Sequence, residues 1–396
     1  LALLLAPWLA SAANPPVTLD QLLEEENLPG IALVVVDQGA FEAGASGLSD
    51  IASATPMTPD TRVQVGSVTK VVLALGVLRM VSEGLVALDT DVETLLPDLN
   101  WQNPWQQTEP VRLRHLLEHT AGLDNIRMWQ FLNSQVTADT PLSQAFPTNQ
   151  DHLLTVRTRP GSQYSYSNMG YALLGRVIEQ ITGQRYEEYL AQSLLAPLGM
   201  HDSSFHFVTQ SEDPRLATGY LDHLAIQPAV PMFLRPAGQF TTTARDMQRL
   251  LVFMLGDGSL NAEPFIAADL MSQLGTPSTT GASLAGLAIG HGLALAGRDR
   301  HGAFGYCHPG TTFGFRAYLC LFPYRRIGML LPLGLYLQFA RVPAILVIGS
   351  WFTLQLVYTV LGPITGIVAW WTHMAGFALG LIFVLLVRAT AQIKMG

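Results

Sequence analysis

Apolar positions recur at helical spacing through the middle of the chain and at strand spacing near its two ends. The segment TLDQLLEEENLPG opens on Thr18 as an N-cap, keeps helical spacing and stops at Pro29-Gly30. IALVVVDQGAFEAGASGLSD then predicts two strands around a turn at Gln38-Gly39. From Val68 to about Leu260 the helical pattern dominates, and TKVVLALGVLRMVSEG, VRLRHLLEHTAG, SNMGYALLGRVIEQITG and TARDMQRLLVFMLGDG all end in glycine, as helix C-termini often do. Strand character returns in GAFGYCH and FRAYLCLFP. Strands at both ends with helices between them predict an α/β fold, an antiparallel sheet from the two chain ends flanked by helices, with a large helical insertion.

Three apolar runs stand outside that pattern. LALLLAPWLASAAN is too short to span a bilayer and ends in the small-residue site Ala10-Ser11-Ala12, so residues 1–13 read as a secretory signal peptide. No basic stretch precedes it, and it reads as truncated at its front. Val342 to Leu361 and Ile367 to Val387 are each long enough to cross a hydrocarbon core, with Gly362-Pro363 between them. They predict a two-helix membrane hairpin, and with it three regions: the signal, a globular domain over 14–330 and a membrane tail over 331–396. A pair of helices buried in a globular core is the alternative for the tail.

Composition follows this division. Mean hydropathy is +0.28, high for a globular chain. From Arg326 onward there is no Asp or Glu and only Arg326, Arg341, Arg388 and Lys394 carry positive charge. The globular part is therefore more acidic than the net charge of −8 suggests. With no basic patch, nucleic acid is excluded as a partner. Cys307 and Cys320 are the only cysteines; they fall on neighbouring predicted strands, but two cysteines do not by themselves imply a disulfide.

The chemistry begins at GSVTK. Ser67 and Lys70 stand three residues apart at the start of a helix and so share one face. A serine hydroxyl is a weak nucleophile until a base takes its proton, and a lysine of depressed pKa can do this. Arginine, which this chain uses almost everywhere else, cannot; Lys70 and Lys394 are the only lysines. A capping serine beside a solvated lysine is the bland alternative. In YSYSNMGY, Tyr166 and Asn168 lie where a loop enters a helix: the tyrosine can relay a proton and the amide can donate to a substrate carbonyl. In CHPGTTFGF, Gly310 permits close backbone approach, and His308 is a titratable donor at a strand end.

These three motifs, in this order, resemble the serine β-lactamase and penicillin-binding-protein superfamily, and most closely its class C-like branch of β-lactamases, D-alanyl-D-alanine carboxypeptidases and esterases. The blocks VQVGSVTKVVLALGVLRMVSEGLVALD, VRLRHLLEHTAGL, PGSQYSYSNMGYALLGRVIEQITG, LLAPLGM and PAGQFTTTARDM extend the resemblance over residues 18 to 330. It implies a β-lactamase/transpeptidase-like fold and an acyl-enzyme on Ser67, activated by Lys70. Tyr166 becomes the proton relay, Asn168 a holder of the substrate amide, and His308 and Gly310 part of the substrate edge. The backbone N–H groups of Ser67 and Thr311 become the oxyanion hole. His308 stands where many relatives carry lysine, which favours peptidase-like or esterase-like chemistry. No cofactor or metal is implied. D-alanyl peptides, β-lactams and small esters are the candidate substrates of an exported enzyme, in the periplasm or at the cell surface.

Two rivals follow from the same chain. HLLEH, with His115 and His119, fits a zinc-ligating pattern, but no motif supplies a third ligand. A non-catalytic peptidoglycan- or ligand-binding module would use the same fold, although binding alone does not need Ser67, Lys70, Tyr166 and His308 together. The tail resembles the last two spans of rhomboid intramembrane proteases, in RVPAILVIGSWFTLQLV and GIVAWWTHMAGFALG, and His373 falls on that family's catalytic histidine. The only Gly-x-Ser-Gly match, Gly44-Ala45-Ser46-Gly47, lies in the globular part, so a rhomboid dyad is excluded. With an exported domain ahead of it, the tail's basic flanks lie outside, against the positive-inside rule. This points to a join near residues 316 to 332, from a gene fusion or an error of sequence assembly.

Overall fold

The computed structural model describes residues 18–343 except 38–39, 132, 134, 151, 288, 301–302, 323–325 and 334–335. The expected signal peptide, His373 and, beyond Pro343, both expected membrane spans lie outside the described residues. Two compact units emerge, Leu1–Arg298 with Tyr306–Leu321, and Asp299–Gly305 with Phe322–Gly396.

In the first unit, α1 (Leu19–Glu26) starts on Thr18 with a capping box: the Thr18 side chain accepts from Gln21 N–H, and the Gln21 side chain accepts from Thr18 N–H. It leads into β1 (Gly30–Asp37) and β2 (Ala40–Asp50), paired antiparallel from Gly30↔Gly47 to Asp37↔Ala40, with β3 (Thr55–Pro56) beside β2. A second three-stranded sheet is built from β4 (Ala296–Arg300), β5 (Ala303–Thr312) and β6 (Phe315–Leu321). Both chain ends thus supply strands as expected. Among the described residues they form two sheets rather than one continuous ladder.

The helical part lies between them. Helix α2 (Thr69–Ser82) is buried nearly all round, from Val71 to Leu78 and again at Met80, as befits a helix with no polar face. Helix α4 (Asn168–Thr182) carries the capping serine Ser167 at its start and left-handed Gly183 at its end. Helix α3 (Leu113–Leu117) is shorter than the glycine-bounded pattern suggested: the chain leaves it at Glu118, and His119 adopts a positive φ of 56°. Helix α5 (Ala244–Met254) begins on the capping hydroxyl of Thr243.

Cys307 on β5 and Cys320 on β6 are register partners and form a disulfide with Cα atoms 4.1 Å apart. The bridge was not implied by the sequence; the pairing of strands β5 and β6 supplies the missing register.

The second unit contains an antiparallel hairpin, β7 (Arg326–Leu333) and β8 (Tyr336–Pro343), in register from Arg326↔Pro343 to Leu333↔Tyr336. Residues 331–333 and 336–343, at the opening of the expected membrane region, are therefore strand. No helix among the described residues is long and apolar enough to cross a membrane.

Candidate active site

Ser67 lies in a 3-10 turn, Gly66–Val68, that runs directly into α2 and places Lys70 in the helix's first turn. Lys70 Nζ is 3.1 Å from Ser67 Oγ and donates to the carbonyl of Ala237 at 2.6 Å. Its side chain is completely buried, and no carboxylate pairs with it among the described residues. Burial alone pushes the amine well below the ordinary lysine range. The aromatic faces of Tyr166 and Tyr171 lie 5.0 and 5.6 Å from Nζ.

Two further contacts hold this turn. Thr69 Oγ1 donates to Gly66 O at 2.5 Å and accepts from Phe240 N–H at 3.0 Å, tying the turn to the segment that carries Ala237. That segment is anchored in turn by Arg235, whose Nε is 2.5 Å from Glu187 Oε1 in a buried ion pair. Strand β5 approaches from the other side, backbone against backbone. A Cβ on Gly66, which has φ +50°, would sit 2.6 Å from the Thr311 carbonyl, and one on Gly310 would sit 2.0 Å from Val65 O. Any side chain at either glycine would push Thr311 away from Ser67.

Burial raises the pKa of the Tyr166 phenol, and the nearby Ser67 side chain offsets only part of this. The phenol is therefore neutral near pH 7, a donor and relay rather than a standing phenolate. Ser167 caps α4: its Oγ accepts from Gly170 N–H at 3.0 Å and donates to Asp124 O at 2.7 Å. Asn168 is next along, and its Nδ2 and backbone N–H both donate to Asn125 Oδ1, at 2.7 and 3.1 Å. Asn125 was not signalled by any local motif.

His308 differs from the strand-end donor expected. It is only 3% exposed, and its Nδ1–H donates to Pro309 O at 2.7 Å. Burial first, then the nearby His291 and Lys70, holds its pKa well below the usual histidine value. His308 is thus a neutral ring that offers an Nε2 lone pair, an acceptor rather than a charged donor. Together with Tyr164, Tyr166, His291, Arg298, Cys307 and neighbouring backbone, it lines a cavity of about 240 Å³.

The zinc pattern of HLLEH is not assembled. His115 Nδ1 accepts from Arg112 N–H, and the described residues contain no metal-like cluster that includes it. Glu118, between His115 and His119 in the motif, is fully buried and accepts from the backbone N–H and hydroxyl of both Ser278 and Thr279. His119 has left the helix and instead stacks on Tyr166, ring centroids 4.3 Å apart.

Comparison with known proteins shows the family of the chain. The Beta-lactamase family model matches residues 17–332. The chain is 31% identical over 324 residues to Penicillin-binding protein 4 of Amycolatopsis lactamdurans, covering 77% of this chain and 80% of that one. It is 26% identical to Protein flp of Staphylococcus aureus (strain N315), but spans only 60% of that protein. Among solved structures, a β-lactamase/D-alanine carboxypeptidase from Yersinia pestis complexed with citrate matches with TM-score 0.61 and 23% identity, covering 77% of this chain and 86% of that one. The octameric penicillin-binding protein homologue from Pyrococcus abyssi matches with TM-score 0.60 and 23% identity, over 77% and 70% of the two chains. At these identities the structural matches speak for the fold.

Proposed function

Because the chain belongs to the Beta-lactamase family, we propose that it is a serine hydrolase working through an acyl-enzyme on Ser67. One observation carries this reading: Ser67 Oγ lies 3.1 Å from a lysine amine that is fully buried and, among the described residues, without a carboxylate partner. Neutral Lys70 takes the hydroxyl proton as Ser67 Oγ bonds to the substrate's acyl carbon. The tetrahedral oxygen meets the backbone N–H groups of Ser67 and Thr311, donors worth about 3 to 4 kcal/mol each in such sites. Tyr166 relays the hydroxyl proton, giving its own to the leaving group as the bond to carbon breaks and taking Lys70's in return. Water then attacks the acyl carbon, Ser67 Oγ departs and is reprotonated, and the acid product leaves.

D-alanyl peptides, β-lactams and small esters all fit this sequence of steps. Neutral His308 presents an acceptor, so a substrate carboxylate finds its counter-charge in the exposed guanidinium of Arg298 on the cavity wall. Asn168 and Asn125, joined by hydrogen bonds, stand on the side assigned to the substrate amide. Such substrates place the enzyme outside the cytoplasm, in line with the signal-like N-terminus.

The test is covalent. Incubation with a labelled penicillin and with a p-nitrophenyl ester, followed by peptide mass spectrometry, is expected to find the acyl group on Ser67 and nothing on the Ser67→Ala variant. A folded protein that forms no adduct and hydrolyses neither ester nor D-alanyl dipeptide is a binding module instead.

A further inference from the structure

His119, His291 and His308 come from three distant parts of the sequence, and one ring nitrogen of each lies within 4.8 Å of the others. All three rings are at least 97% buried. The acyl-transfer steps above use neither His119 nor His291.

The rings' other hydrogen bonds decide what the cluster can hold. His291 donates Nδ1–H to Gly292 O at 2.7 Å, and His308 donates Nδ1–H to Pro309 O at 2.7 Å. Each is thereby fixed with its Nε2 lone pair free, the arrangement found behind metal-ligating histidines. His291 Nε2 is buried with no partner, and so is His119 Nε2. Buried polar atoms are rarely left this way. His119 is the costlier ligand: its Nδ1 accepts from Ser167 N–H at 3.1 Å, so its proton sits on Nε2. It must release that proton, or give up the Ser167 bond, before it can coordinate. Lys70 and Arg298 are the cations that act on the cluster, and Arg298, on the cavity wall, is exposed to solvent.

We infer that these three histidines form a site for one borderline transition-metal ion, such as Zn²⁺ or Co²⁺, with His291 and His308 as the principal ligands and His119 completing it. An all-imidazole set excludes Mg²⁺ and Ca²⁺. Since His291 and His308 also line the cavity beside Tyr166, the bound ion shuts the hydrolase off rather than driving it. The inhibition, but not the binding, rests on the function proposed above.

Equilibrium dialysis of the purified full chain against Zn²⁺, and Co²⁺ absorption spectroscopy, test the site without an activity assay. One ion per chain is expected, with ligand-field bands of a low-coordinate nitrogen site. His291→Phe is expected to weaken binding 100-fold or more, and His119→Phe by a smaller factor; Glu118, held by its four hydrogen bonds, contributes nothing. No stoichiometric binding by the wild type, an octahedral Co²⁺ spectrum, or a folded His291→Phe that binds as well as the parent overturns the inference. Should that variant not fold, the wild-type stoichiometry and spectrum still decide. Zn²⁺ is further expected to slow ester hydrolysis, and a chelator to restore it. Stoichiometric binding with hydrolysis unaffected removes the inhibitory role alone, whereas absent hydrolysis with intact binding counts against the proposed function alone.

Discussion

Two cations are buried a short way apart in this molecule, and they are treated in opposite ways. Arg235 is 2% exposed and faces Glu187, itself 1% exposed. Lys70 is 0% exposed and faces a backbone carbonyl, a serine hydroxyl and two aromatic rings. An unpaired charge in such surroundings is costly, and a group that can titrate avoids the cost by losing its charge. Lysine has that route and arginine does not. The pair Arg235–Glu187 is thus an ion pair kept to fix a loop, whereas Lys70 has no counter-ion among the described residues, which suits it to the base role proposed for it. The two are linked, because the loop that Arg235 fixes brings the Ala237 carbonyl to Lys70 Nζ.

The sharpest way to break the contrast is to put an arginine where the proposed base stands. Lys70→Arg keeps a cation at the site but cannot give up its proton, so acylation of Ser67 is expected to fall about 10²–10⁴-fold. Rapid-mixing measurement of the labelled adduct reads this directly. A Lys70→Arg enzyme acylating within a few-fold of the parent means that Lys70 is not the base. The same argument fixes the pH dependence. Lys70 is lowered in the fold, so acylation rises as pH climbs through its depressed pKa, and the fold gains stability over the window from that pKa up to the ordinary lysine value.

Next in size is the paired cation. Glu187→Ala leaves Arg235 buried without its carboxylate, which typically costs about 3–5 kcal/mol. Urea unfolding should show the loss as a lower midpoint at unchanged slope. Because Arg235 holds the 235–237 turn, the residual folded enzyme should also acylate more slowly. A variant that loses activity at unchanged stability would instead assign Glu187 a chemical role.

The same contrast explains what could be read in advance. Ser67 and Lys70 are neighbours through helix geometry alone, so their pairing was visible in five letters of sequence. Tyr166, Asn168 and His308 were placed by order and family resemblance, and the fold gathers Tyr166 and His308 around the Ser67–Lys70 pair. The Ala237 carbonyl, Asn125, Arg298 and His291 left no local signal, because each reaches the site through tertiary packing of segments far apart in sequence. The disulfide needed strand register, which alternation alone does not fix. HLLEH fails as a zinc pattern for a local reason: the helix ends at Leu117 and His119 adopts a positive φ, so His115 and His119 are not on one face. In the run after Arg326, residues 326–333 and 336–343 are strand, a state that near-continuous apolar residues fit as well as a membrane helix; beyond Pro343 both expected spans lie outside the described residues.

His115 offers the smallest test, and it concerns a third buried group whose neighbours disfavour charge. Burial, then Arg112 and Arg114, lower its pKa to about 4. The unfolded chain carries this histidine near its ordinary 6.5. Between those values the unfolded state binds a proton that the fold refuses, so stability falls as pH drops through the window. His115→Asn keeps an acceptor for Arg112 N–H and removes the titration. Between pH 7.5 and pH 4.5 the parent is expected to lose roughly 2 kcal/mol more than the variant, which denaturant midpoints at the two pH values would resolve. Equal losses would mean that His115 protonates in the fold as readily as in water. The two arginines beside it would then be turned outward to solvent, and its place among the buried residues would have to be redrawn.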